Sequence, residues 1–349
     1  MIRKWIRKQF EKNKFQRIIA DMKYHFYCVN NRPFCFYENS YEESNAEYIK
    51  RIQPRFYEFI AEQNIKVINN KRATKEKKQF AAISLRNYYS QALETLFALI
   101  FATLQAPKCI HAWMRQYKNC ELNELIKKVN NSDPIKTRFT KIQNISWESI
   151  VNLIFLYYDE KETSSKRTII ENFSRLLSCF AEDYLDESFS NEYNNIKHGL
   201  RTKIGGSIVS IRETNRSGKL KEDSDWQNLL ESEYGSSFYV DEKLLDSKNH
   251  FRIKLHSVNW DPENLYHGIY FICLFLENLL TFLKKFNNIK SDKLLYKSVA
   301  PSEVFDSPWK NVSGLGSYTM DLGFNYSQVK LFPKSKIMSV YDLPKDEVG

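Results

Sequence analysis

Residues 77–105 read KKQFAAISLRNYYSQALETLFALIFATLQ, and this stretch decides the fold class. Apolar side chains recur at Ile83, Tyr89, Ala92, Leu93, Leu96, Phe97, Ile100, Phe101 and Leu104, at intervals of three and four residues. That spacing lines one face of an α-helix, whereas a strand would alternate. Pro107 then ends the run, because proline has no N–H to continue the helical ladder.

The same period extends outward on both sides. Towards the N-terminus, a second helix is expected over Glu47–Glu62, interrupted near Pro54, and Lys71–Lys78 reads as a charged connector. Ile2, Trp5, Ile6, Phe10, Phe15, Ile18, Ile19, Met22 and Phe26 form an apolar stripe among lysines and arginines, a basic amphipathic helix over residues 1–26. Asn30-Asn31-Arg32-Pro33 breaks it, and Phe34–Tyr37 suits a short strand. Towards the C-terminus, Cys109–Val129 reads as one helix. Ser146 suits an N-cap for a helix through Tyr158, and Lys166–Phe189 reads as another.

The period changes after residue 200. Gly205-Gly206, the alternating Ser207–Ile211, the turn-like Asn215–Gly218 and Ser236–Val240 predict a small β insertion at about residues 202–258. Asp261-Pro262-Glu263 then opens a last core helix, Asn264–Phe286, with Asp as N-cap and Pro at the first helical position. Residues 287–349 carry several glycines and prolines, with short strands expected at Tyr318–Phe324 and Val329–Phe332. The expected fold is mainly α: a helical bundle with a small β insertion and an irregular C-terminal appendage. Its regions are a basic N-terminal helical region (1–79), the bundle (80–286) and the appendage (287–349).

Charge is distributed unevenly. Residues 1–80 hold 18 Lys and Arg against 9 Asp and Glu, while the other residues are near balance at 34 against 33. A surplus confined to one segment suits docking to a polyanion, nucleic acid first and an anionic membrane second, with Lys4, Arg7 and Lys8 as the first candidate phosphate contacts. An ordinary solvated helix face would carry the same charges. The 21 Tyr and 24 Phe supply a thick core and faces able to stack on bases.

Several function classes lack their signatures. No GxGxxG or GxxxxGK[ST] loop occurs, nor an HExxH or GxSxG motif. The six cysteines lie far apart without a CxxC, which suits reduced thiols in a cytoplasmic protein and neither a disulfide framework nor a zinc site. No cofactor or metal is expected. The N-terminal residues lack the apolar run of a signal peptide, and Leu96–Leu104 and Gly268–Leu276 fall short of the ~20 residues a membrane span requires. The expectation is a soluble chain without a transmembrane segment.

One short stretch combines residues suited to chemistry: Tyr193-Asn194-Asn195-Ile196-Lys197-His198-Gly199. On a helix, Asn194 lies one turn before His198 and could orient its imidazole. Lys197 and Arg201 supply cations for a phosphodiester. Imidazole can take a proton from a ribose 2′-hydroxyl or give one to a leaving 5′-oxygen near neutral pH. An Asn/His helix cap on a turn closed by Gly199 would use the same residues without any chemistry.

A helical bundle with this motif at a helix junction resembles the HEPN superfamily of ribonucleases and nucleotide-binding proteins. The likeness covers about residues 80–286. The family motif is Arg, a polar residue that is often Asn, three or more residues, then His. Asn194 and His198 match it, while Tyr193 stands where the family has Arg. The resemblance implies an antiparallel helical bundle and a metal-independent endoribonuclease, with His198 as acid/base and Asn194 as orienter. The family's Arg holds the scissile phosphate, so Lys197 or Arg201 substitutes here, or the site binds without cutting. Arg86, followed by Asn87 on the long helix, is a further source of a guanidinium. The resemblance also implies RNA as partner, a homodimer through the motif helices, and a place in antiviral defence or a toxin–antitoxin system. The alternative is a non-catalytic module that binds RNA, a nucleotide or a partner protein.

Overall fold

The computed structural model describes residues 27–29, 32–35, 41–139, 145–159, 165–199, 201–206, 208–211, 227–243, 251–290, 295–297 and 319–324. The expected helix over 1–26, with Lys4, Arg7 and Lys8, lies outside these residues, as does the expected strand Val329–Phe332. Strands β1 (Tyr27–Val29) and β2 (Arg32–Cys35) pair antiparallel, so the strand expected at Phe34–Tyr37 is placed two residues earlier.

Helices α1 (Tyr41–Arg51) and α2 (Arg55–Ile68) flank Pro54. The long α3 (Lys75–Gln105) begins at Thr74, whose hydroxyl accepts from Lys77 N at 3.3 Å. The next stretch forms two helices where one was expected: α4 (Ile110–Met114) and α5 (Asn119–Asn130). Gln105 explains the break. Its Oε1 accepts from Trp113 Nε1 at 2.9 Å and from Tyr117 OH at 2.6 Å, tying both rings back to the end of α3.

Ser146 caps α6 (Trp147–Ile154), which stops before the expected Tyr158. The expected helix over Lys166–Phe189 divides into α7 (Lys166–Leu185) and α8 (Glu187–Lys197). Asp186 divides them. Its extended backbone ends one helix, and its Oδ1 accepts from Ser188 N at 2.7 Å to start the next.

The β region forms β3 (Lys203–Ile204), β4 (Ile208–Ile211), β5 (Gln227–Glu231), β6 (Gly235–Lys243) and β7 (Phe251–Asn259). Asp261 Oδ1 then accepts from Glu263 N at 2.9 Å, and α9 runs over Pro262–Phe286. Strand β8 (Thr319–Phe324) completes an antiparallel sheet ordered β3-β6-β7-β8, while β4 and β5 pair separately. The fold is mainly α with a small β portion.

Helix α3 is the axis of the core, with buried residues on every side from Leu85 and Tyr89 to Phe101 and Leu104. Such all-round burial marks a central helix. Helices α1 and α2, from the stretch set apart in sequence as the basic N-terminal region, bury Ile49, Ala61 and Ile68 in the same core. Helix α9 is long and apolar enough to cross a bilayer by length and composition, but 78% of its apolar window is buried inside the fold. A Cβ on its Gly268 would stand 2.6 Å from Tyr89 Cε2, so glycine there lets α9 close onto α3.

Two thiols are shielded by this core, Cys273 buried and Cys179 half-buried. Burial, reinforced by Glu182 and Asp183, pushes the Cys179 thiol up to about 11, and burial with Glu58 and then Glu277 nearby pushes Cys273 up to about 12. A native-state alkylation at pH 8 is therefore expected to label the exposed Cys120 well before either of them, as peptide mass spectrometry would read. A raised folded-state pKa means the folded chain holds the proton longer. Stability from these thiols should be intact below ~8.5, the unfolded value, and decline as pH rises towards about 11 and 12. Equal labelling of Cys120 and Cys273 would contradict this packing.

Candidate phosphate-contact turn

Helix α8 carries the motif, and its burial pattern splits the motif in two. Phe189, Glu192, Tyr193 and Ile196 face the core, at the three- and four-residue spacing of a buried stripe. Asn194, Lys197 and His198 face outward. His198 is the C-cap, and its backbone N–H donates to Asn194 O at 3.0 Å. Among the described residues no side-chain hydrogen bond joins Asn194 to the imidazole, so the expected orienting contact is replaced by a backbone one.

Gly199 turns the chain at φ +103°, a left-handed conformation that suits glycine. Beyond it, Arg201 N donates to Asn195 O at 2.9 Å, which folds Arg201 back against the end of α8. Its side chain is exposed. Lys197 Nζ sits 5.2 Å from the centroid of the Tyr193 ring. The structure thus gathers Lys197, His198 and Arg201 on one exposed turn.

Tyr193, at the family's Arg position, is 7% exposed, and its hydroxyl donates to Glu94 Oε2 at 3.2 Å. Burial first, and the Glu94 carboxylate second, push its phenol well above the ordinary value. It is a neutral, inward-facing donor.

Arg86 does not join the turn. It is 2% exposed, and its Nε and one terminal nitrogen each lie 2.7 Å from Glu192 Oε2. Its guanidinium carbon stacks 4.4 Å from the Phe189 centroid. The second oxygen of Glu192 accepts from Ser236 Oγ at 2.5 Å and Trp260 Nε1 at 2.9 Å. One carboxylate therefore joins α3, α8, β6 and the residue after β7. Arg86, expected as a phosphate contact, is instead committed to this buried pair.

Glu192 is the residue that motif reading passed over. The signal was present: an acid on the same helical stripe as Phe189, Tyr193 and Ile196, and a base on the apolar stripe of α3. A buried charge demands a partner, and two misplaced charges of opposite sign are each other's best candidate.

Two concavities among the described residues bear on the motif's surroundings. The larger, about 590 Å³, lies between α2 and α9 and is lined by Arg55, Glu58, Phe59, Glu62, Tyr270 and Glu277 among others, none of them from the motif. The smaller, about 200 Å³, lies between α3, α5, α7 and α8 and includes Tyr193 and Asn194. Among the described residues no group of three His, Cys, Asp or Glu is placed to hold a metal ion. No family model, curated protein or solved structure matches the chain.

Proposed function

We propose that the chain acts on RNA through the Lys197–Arg201 turn, as a metal-independent endoribonuclease of HEPN type. The observation that carries this is the exposed imidazole of His198 between two exposed cations, Lys197 and Arg201, on a turn fixed by Gly199. The cations hold the phosphodiester. His198 accepts the 2′-hydroxyl proton as the 2′-oxygen attacks phosphorus. The leaving 5′-oxygen is then protonated, leaving a 2′,3′-cyclic phosphate. Two copies facing each other through α8 would set two such turns along one strand. A place in a prokaryotic defence or toxin-type system follows from the same likeness.

A second reading is a module that binds RNA, a nucleotide or a partner protein without cutting. It is favoured by Tyr193, whose buried phenol leaves the family's phosphate-holding position without a cation. Purified full-length chain incubated with single-stranded RNA in EDTA separates the two. Cutting is expected to persist in the chelator, to leave 2′,3′-cyclic ends and to spare DNA, which lacks the nucleophile. Activity abolished by EDTA and restored by Mg²⁺, or efficient cutting of DNA, would overturn the mechanism. Retention of RNA without any cleavage would support the module.

A further inference from the structure

We propose that the start of α3 and the turn before it extend the Lys197–Arg201 turn into one track for the backbone of single-stranded RNA, with Lys71, Arg72 and Lys75 as phosphate contacts away from the cleavage point. The proposal rests on the RNA reading above and sets where the strand runs beyond the turn.

The fold brings together two basic stretches that lie more than a hundred residues apart in sequence. Residues 70–79 hold five Lys and Arg against one acid, Glu76, and residues 197–206 hold three against none. Helix α3 joins them. Its Gln79 and Arg86, seven residues apart, lie on one stripe. Arg86 binds Glu192 of α8, while Gln79 Nε2 donates to Glu233 O at 3.3 Å, in the turn before β6. A Cβ on Gly205 would stand 3.1 Å from the same Gln79 nitrogen, so the end of β3 lies against this turn of the helix. Lys75 continues the stripe one turn before Gln79, ~6 Å along the axis. Lys203 stands two residues before Gly205, about 7 Å away or less. Its neighbour Ile204 packs on the core, which turns Lys203 outward in an alternating strand. The cations therefore follow one another from Lys197 through Arg201 and Lys203 to Lys75 and the turn at Arg72.

Lys71, Arg72, Lys75, Lys197, Arg201 and Lys203 are all exposed, and none of them is ion-paired among the described residues. Other exposed cations take an acid one helical turn away, as Arg51 does with Glu47, Lys66 with Glu62 and Arg167 with Glu171. Lys75 has no such partner ahead of it on α3: Lys78 stands three residues on and Gln79 four. A row of like charges without partners repels itself, and a polyanion relieves it. Continuity of the row with the His198 turn favours a strand of RNA over an anionic membrane. Phosphate contacts carry no base information, so the track accepts single strands whatever their sequence.

Anisotropy of the full-length chain with a labelled 2′-O-methyl RNA of about twelve nucleotides, read over a range of salt, tests the track. That probe carries the phosphates but no nucleophile, so binding is read without cleavage. The triple variant Lys71→Gln, Arg72→Gln, Lys75→Gln is expected to bind about 100-fold more weakly at about 0.1 M salt. The slope of log affinity against log salt should shrink by about two, the worth of three phosphate contacts on a single strand. The three side chains are exposed, so the melting temperature should stay within about 2 °C. Lys166→Gln, Arg167→Gln, Arg175→Gln on α7 removes the same charge outside the track and should leave the slope unchanged. Unchanged affinity and slope in the first variant, with the unmodified chain binding, overturns the track and leaves the turn reading standing. An equal loss in the α7 variant would show net charge at work and overturns the track as well. If the unmodified chain binds no oligomer at any salt, the RNA reading fails and the track falls with it. Co-sedimentation with phosphatidylserine vesicles that the first variant loses, while its RNA affinity is unchanged, would assign the row to a membrane and overturn the proposal.

Discussion

Glu192→Ala is expected to cost about 3–5 kcal/mol of folding stability, because it strands Arg86 as an uncompensated charge in the core. Glu192 is 0% exposed and Arg86 is 2% exposed, so water cannot replace the lost carboxylate. Ser236 and Trp260 lose their acceptor in the same step. Urea unfolding would read the change as a lower midpoint at constant slope. The Arg86→Met, Glu192→Met double variant should recover part of the loss, since an apolar pair removes both charges together. A loss for Glu192→Ala below about 1 kcal/mol, the worth of an exposed pair, would show that the network is not a keystone of the fold.

His198→Ala should behave in the opposite way. The side chain is exposed at a helix end, so its removal should move stability by no more than about 0.5 kcal/mol. Cleavage should fall about 100-fold or more if the imidazole transfers a proton in the transition state. Tyr193→Arg is the companion. An arginine there would enter the buried space facing Glu94 and pair with that carboxylate instead of reaching a phosphate, so no gain in activity is expected. Full cleavage by His198→Ala would remove the enzyme reading and leave the binding module.

The legible parts of this fold were those written in neighbouring residues. Ser146 and Asp261-Pro262 announced their helices because a cap needs only the next two or three backbone N–H groups. Gly199 announced its turn because a positive φ is a local demand. The misread parts depended on distant partners. Trp113 and Tyr117 fit a continuing helix until Gln105 is seen to hold both. Arg86 next to Asn87 looks like a phosphate contact until Glu192, more than a hundred residues away, is seen against it. Within the motif, spacing placed Asn194 and His198 one turn apart. It could not show that Tyr193 turns inward to Glu94, because that is fixed by how α8 meets α3.

The four-stranded sheet has a consequence for how the chain is made. On one side β3, only two residues long, pairs with Ser236 and Ser237 of β6. The opposite edge of β7 is covered by β8, through pairs such as Ile253 with Phe324 and Val258 with Thr319. A ribosome delivers β7 well before β8. During that interval the nascent chain displays an open strand of nine residues, with the cover for its later part still untranslated. Synthesis stalled between residues 260 and 318 would release polypeptides with most helices in place and one adhesive border, the kind of species that chaperones recognise and that self-associates in their absence.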